Sequence, residues 1–193
     1  MATVNQRIRI TKQLMREGLL RCLQTRPIEK ITISELCRES GINRATFYHH
    51  YESPQDILLE IGWEYAEKIR DIFHAKAEQS LYLALTGCFT YLNEQRQTLK
   101  TILSAGADRY VAESVSEIFF WSWDHFIDLR SMIHLDEEEY QLIVNSLGWA
   151  AYHFVKDWIL EDIPKSPEEI GNLLYRIMTP LAHWIDPAGE PLI

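Results

Sequence analysis

The stretch Thr32–Pro54, TISELCRESGINRATFYHHYESP, leaves its backbone few options. Thr32 followed by Glu35 is a capping box: the hydroxyl takes the amide three residues on, and the carboxylate reaches back. Leu36 and Cys37 share one face of the helix that follows and pack inward. Gly41 ends that helix where the chain needs a positive φ, which only glycine adopts cheaply. Ile42 is a buried pin, and Asn43 caps a second helix, RATFYHHY. Ser53-Pro54-Gln55-Asp56 opens a third, with Ser as cap, Pro at the first helical position and Asp56 completing a box. The spacing predicts helix, tight turn, short helix, helix.

The middle helix is unusual. Phe47 and Tyr51 are four apart and anchor it to a core. Its other face carries Arg44, Ala45, Thr46, Tyr48, His49 and His50. A helix of about two turns does not persist alone in water. A short, donor-rich helix pinned to a small core fits the second helix of a helix-turn-helix, the one placed in the DNA major groove. Arg44 stands near its N-terminus, where side chains reach base edges, and a guanidinium binds guanine O6 and N7 in a two-pronged way. Ala45 suits a thymine methyl, and His49 a base or a phosphate.

Thr32, Leu36, Gly41-Ile42, Thr46-Phe47-Tyr48, His50-Tyr51 and then Asp56-Ile57-Leu58 together resemble the DNA-binding domain of the TetR family of bacterial transcriptional regulators. The match covers roughly the first third of the chain. The resemblance implies that Thr46, Tyr48 and His50 contact phosphates, with Thr32, Ser34 and the cap residue Asn43 at the groove or backbone. The alternative for Tyr48 and His50 is partly buried packing, and for Arg44 a solvated surface charge. One departure stands out. Many members carry Lys near the position of Pro54, where it meets a phosphate; Pro cannot, which leaves the amides of that helix N-terminus for the task.

The net charge of −9 taken alone argues against nucleic acid, but its distribution reverses that reading. Residues 1–51 hold nine Lys or Arg against four acids, a net of +5, so the remaining 142 residues carry −14. A basic head on an acidic body confines phosphate attraction to one end. The length of 193 residues suits one such head plus a larger domain, divided here as 1–53 and 54–193. Cys22, Cys37 and Cys88 form no C-x-x-C and read as buried reduced thiols, with a Cys22–Cys37 redox switch as the alternative. No stretch of about 18 apolar residues occurs, so no membrane span is expected and the chain reads as soluble and cytoplasmic.

The fold expected is all-α, about nine helices: a three-helix helix-turn-helix domain, then a helical domain for ligand binding and dimerisation. Residues 1–6 read as an arm, followed by a helix over Arg7–Thr25 that Pro27 stops. Gly18 within it has no cap role and reads as a site of close helix approach. The small head's core would be Met15, Leu19, Cys22, Leu23, Ile28, Ile31, Leu36, Phe47 and Tyr51. A long helix starts at Pro54, and others are placed at about 80–95, 97–105, 107–132, 136–161 and 167–185, with a loose tail after Asp186. Asp136–Glu139 reads as a charged first helical turn rather than a metal cluster, and Ser166-Pro167-Glu168-Glu169 as another helix start.

Two late helices are strongly apolar. Tyr140, Val144, Leu147, Ala151 and Phe154 lie on one stripe, and Leu173, Ile177 and Leu181 on the other. Such stripes suit core; the resemblance implies that they build a four-helix dimer interface instead. A homodimer also makes physical sense, because one short recognition helix reads too few bases. Tyr110, Trp121, His125, Phe126, Trp149, Tyr152 and His153 belong to an aromatic concentration that either fills core or lines a cavity for a small apolar or aromatic effector. His153, Asp157 and Glu161 share a helix face, read as i,i+4 surface pairing rather than a metal site.

No Gly-rich phosphate loop, nucleophile elbow, H-E-x-x-H or triad spacing occurs, so no enzyme, catalytic residue, metal or cofactor is expected. The expectation is a dimeric repressor on an inverted-repeat, double-stranded operator, released by a ligand. The alternative is a regulator with the same head that acts through a protein partner and takes no ligand.

Overall fold

A computed structural model describes residues 4–77, 79–112 and 136–184. Among them every regular element is helical: α1 (Val4–Leu23), a 3-10 turn (Ile28–Lys30), α2 (Ile33–Ser40), α3 (Arg44–His50), α4 (Pro54–Ala77), α5 (Leu81–Glu94), α6 (Arg96–Ser104), α7 (Glu137–Leu160) and α8 (Pro167–Trp184). The expected helix over 107–132 is helical at 109–112, with 107–108 not yet helical; residues 113–132, and the tail after Asp186, lie outside the described residues. α1 starts at Val4, so Val4–Gln6 are helix rather than arm, since neither Gly nor Pro interrupts them. It ends at Leu23, where the amides of Thr25 and Arg26 both turn back to the Cys22 carbonyl.

Two compact units emerge: Met1–Trp63 with Gln97–Val111, and Glu64–Arg96 with Ala112–Ile193. This division differs from one between residues 53 and 54, because the first turns of α4 and the segment 97–111 pack with the head. The Ile28 amide donates to the Ala105 carbonyl at 3.3 Å, and Arg109 pairs with Glu29 at 3.5 Å.

Within the head, all nine expected core residues are buried, with Met15, Leu19, Ile28, Leu36 and Phe47 wholly so. Ile42 is half-buried and pins less than expected. A Cβ on Gly18 would stand 2.8 Å from Ser40 Cβ and 2.9 Å from its amide nitrogen, so glycine is what lets α1 and α2 touch. Gly41 has φ 68° and ψ 21°, the left-handed cap geometry. The Thr32–Glu35 box is formed. Thr32→Ala should lower stability by about 1 kcal/mol, read as a lower urea midpoint; an unchanged midpoint would mean that solvent serves the Glu35 amide equally well.

The body unit rests on α5 against α8. A Cβ on Gly171 would lie 3.0 Å from Thr86 Cα, and Tyr82 donates to Glu168 at 3.0 Å. Trp158 is buried with its indole N–H on the Lys165 carbonyl at 3.1 Å and Arg96 over its ring at 4.9 Å. Asp136–Glu139 and Ser166–Glu169 are spent on reciprocal caps. Among the described residues no helix is long and apolar enough to cross a membrane, and no cluster of His, Cys, Asp or Glu could hold a metal. The three cysteines are buried, unpaired thiols. Burial is the main cause that pushes each thiol up, Cys88 to about 12, which keeps them protonated packing groups.

The apolar stripes divide in a way periodicity did not foretell. Tyr140 and Val144, expected to face a second subunit, are buried inside this one, as are Trp158 and Ile159. A side chain already sealed by its own core has no surface to offer a partner. Leu147, Ala151 and Phe154 are half-buried, and Phe154 meets Phe89 edge-on at 6.1 Å. Leu173 and Ile177 are 43% and 48% exposed on α8, and Leu142 and Trp149 are 69% and 50% exposed on α7. The side chain of Leu181 lies outside the described residues.

Candidate nucleic-acid interface

α3 has only seven residues, and it is fixed at both ends and in the middle. Asn43 Oδ1 accepts the Thr46 amide at 2.8 Å at its start. Phe47 is fully buried halfway along, and Tyr51 is buried at its end, where its amide donates to the Phe47 carbonyl at 3.0 Å. What remains outward is Arg44, Ala45, Tyr48 and His49, all exposed, with Thr46 and His50 half-buried beside them. The helix is thus anchored on one side and open on the other, as a reading helix must be.

Arg44 does not float free. Its Nη2 donates to the Tyr48 hydroxyl at 3.3 Å and its guanidinium lies 5.9 Å from that ring, an i,i+4 pair that raises the guanidinium further above its ordinary value. The pairing directs the guanidinium along the outer face and lowers the rotamer freedom that binding would have to remove. Burial, then His49 and Lys12, push the His50 imidazole below its ordinary value, while Glu60 pulls the other way. His50 is therefore neutral near pH 7 and has one N–H to give.

The other expected contacts divide. Ser34 is exposed on α2. Thr32 is exposed too, but its hydroxyl donates to Glu35 Oε2 at 3.1 Å and accepts the Glu35 amide at 3.2 Å. Its proton is spent within the box, which also holds the Glu35 carboxyl below its usual range. The Asn43 carbonyl is likewise taken by the cap, leaving its amide group outward. The start of α4 is closed by Asp56, as its place in the sequence suggests. Asp56 accepts the amides of Glu52 and Ser53 at 2.8 and 2.9 Å and the Ser53 hydroxyl at 2.8 Å. The carboxylate thus takes the two amides that precede α4, not those of its first turn, which are the ones proposed for a phosphate.

Basic charge in the head is partly committed. Arg26 pairs with Glu35, Arg21 donates to the Glu39 carbonyl, Arg38 meets Glu39 at 3.4 Å, and Lys12 meets Glu60 at 2.8 Å. Arg7, Arg9 and Lys30 stay exposed with Arg44. Glu60 is the residue that sequence reasoning missed: its carboxylate joins Lys12 and Tyr51, which lie 48 and nine positions away, too far for a local motif to reveal.

The residues expected to line an effector cavity are placed unevenly. Tyr110 is half-buried in the head unit, beneath the Arg109 guanidinium at 4.7 Å. Tyr152 is buried in the body, whereas Trp149 and His153 are exposed, with neighbouring ring centroids 5.9 and 5.4 Å from that of Tyr152. Trp121, His125 and Phe126 lie outside the described residues.

Residues 17–61 match the model described as bacterial regulatory proteins, tetR family, and residues 79–180 match a transcriptional regulator C-terminal region of the TetR type. Solved structures of similar fold include a TetR-family transcriptional regulator, described as putative, from Syntrophomonas wolfei, 17% identical with a TM-score of 0.63, covering 90% of this chain and 95% of that one. A TetR transcriptional regulator from Streptococcus agalactiae is 18% identical with a TM-score of 0.60, covering 91% and 96%. Thermus thermophilus FadR, a repressor solved with lauroyl-CoA, is 14% identical with a TM-score of 0.55, covering 87% and 93%. At these identities the likeness establishes the fold alone. A search of curated proteins finds no match.

Proposed function

The chain belongs to the TetR family of bacterial transcriptional regulators, DNA-binding proteins rather than enzymes, and from that premise we propose a dimeric repressor that binds an inverted-repeat operator and is released by a small ligand. One observation carries this reading: the outward face of α3, with Arg44 held by Tyr48, on a helix pinned by Phe47 and Tyr51 within the basic first 51 residues of the chain. Residues 1–53 would read the operator, and residues 54–193 would dimerise and take the ligand.

Arg44 and Ala45 would meet base edges; Tyr48, His50, Thr46 and Ser34 would hold phosphates. The dimer is supported by apolar side chains that one subunit leaves in water, above all Leu173 and Ile177 on α8, with Leu142 and Trp149 on α7. Two heads joined in this way would span adjacent major grooves of an inverted repeat. The lauroyl-CoA held by Thermus FadR is a long apolar chain on a polar head, and it agrees with the effector class that the aromatic composition of this body suggests. Release needs only that the ligand bind more tightly to a conformation whose heads no longer match the operator spacing.

The test is selection of bound duplexes from a random pool by the purified protein at two salt concentrations. The expected result is an inverted repeat whose affinity falls steeply with salt. A folded dimer that enriches no sequence would overturn the operator reading. A thermal-shift screen with acyl and aromatic compounds then separates a ligand-released regulator from one that works through a protein partner, since a ligand of the native state raises the melting temperature.

A further inference from the structure

α3 is too short to hold its own orientation, so something must hold it. Its start is capped by Asn43 and its middle is sunk in the core through Phe47. Its end is held differently. Tyr51, 7% exposed, donates its phenolic O–H to Glu60 Oε2 at 2.8 Å. The same carboxylate takes Lys12 Nζ on both oxygens, at 3.0 and 2.8 Å, and that ammonium also lies 5.3 Å from the centre of the Tyr51 ring. One carboxylate on α4 therefore gathers α1 and the end of α3.

We propose that Glu60 is a positioning residue for DNA reading: by bridging Lys12 of α1 and Tyr51 at the end of α3, it fixes the tilt of the reading helix against α4. The proposal rests on the reading of α3 as the DNA-contacting helix. An ion pair as solvent-exposed as Lys12–Glu60, with side chains 36% and 33% exposed, adds little to stability by itself. Its geometric effect is larger. A carboxylate that accepts from two elements at once restricts both, and a binding surface loses function when its supporting contacts let it shift by about an ångström. None of the three groups needs to touch DNA. Arg44 and Ala45 sit two turns from Tyr51, so a small rotation about the Tyr51 end is felt at the base edges.

The arrangement also explains why His50, next to Tyr51, senses both Lys12 and Glu60, with opposite effects on its imidazole. That gives a readout of the contact independent of DNA.

The experiment uses the full-length protein and the duplex selected by the wild type. Tyr51→Phe removes one hydroxyl and keeps the ring; Glu60→Gln keeps an acceptor but not the charge; Glu60→Ala removes both. Affinity for the selected duplex and for an unrelated duplex of equal length is measured with each protein's melting temperature and the NMR titration of His50. Tyr51→Phe and Glu60→Ala are expected to weaken specific binding about tenfold, comparable to losing one base contact, while non-specific binding and its salt slope persist. Glu60→Gln should recover part of the loss. The double variant Tyr51→Phe with Glu60→Ala should be no worse than the weaker single one, because both act through one contact. His50 should titrate lower in both Glu60 variants. A ratio of specific to non-specific affinity that stays at the wild-type value in Tyr51→Phe and Glu60→Ala overturns the proposal, as does a loss that follows the melting temperature alone. A wild type that selects no duplex would instead overturn the reading of α3 on which the proposal stands.

Discussion

Ile177→Glu is expected to give a folded monomer that has nearly lost its operator. Ile177 is 48% exposed in the single subunit and Leu173, one turn earlier on the same face, is 43% exposed, so a charge here costs the isolated fold little. Between two subunits it would be desolvated without a partner, which an interface does not tolerate. Operator affinity should then fall by roughly a thousandfold or more, from the range of specific complexes toward that of non-specific ones, because each head must bind its half-site alone. Sedimentation and duplex binding on the same sample check this. A variant that stays dimeric would move the interface off this face of α8, and the exposed Leu142 and Trp149 of α7 would be the next positions to charge.

Arg44→Ala should cost about 1–3 kcal/mol for each half-site and relax base preference at a single position in each. The guanidinium is exposed, already directed by Tyr48, and stands at the first position of α3, where base edges are reached. Selection from a random pool distinguishes two roles. A base contact leaves the salt slope nearly unchanged and degrades one column of the recovered site. A phosphate contact weakens all sequences alike and lowers the slope by about one. Tyr48→Phe provides the comparison: it keeps the ring under Arg44 and removes the hydroxyl that directs it, so its effect on that column should be the same in kind and smaller.

Much of the head can be read from the chain because its signals are local. The caps Thr32–Glu35, Asn43–Thr46, Asp136–Glu139 and Ser166–Glu169 each join residues three apart, and all are formed. Gly18 also speaks plainly, since a glycine with no turn to make in the middle of a helix marks close approach, and Ser40 fills the space a side chain would need. Asp56 was legible as a cap, and it reaches back over two amides at once, those of Glu52 and Ser53.

The apolar stripes of α7 and α8 show where periodicity stops. An i, i+4 pattern says that a face meets apolar surroundings; it does not say whose. Tyr140 and Val144 meet their own subunit, while Leu173 and Ile177 meet water in the single chain, although all four obey the same spacing. The segment 97–111 is a similar case. Nothing in its composition assigns it to the head, and its place there is set by contacts such as Ile28 to Ala105, 77 positions apart.

The helix starts, their caps and the outward residues of α3 can be read from the chain alone, because each follows from interactions within about two turns, and the head's core follows from the apolar face that each short helix presents. It took the packed structure to reveal that Glu60 holds Tyr51 and Lys12 together and which apolar stripe is left for a partner. Those outcomes depend on distances between side chains on separate elements, and such distances are set by how the helices pack rather than by the order of the residues.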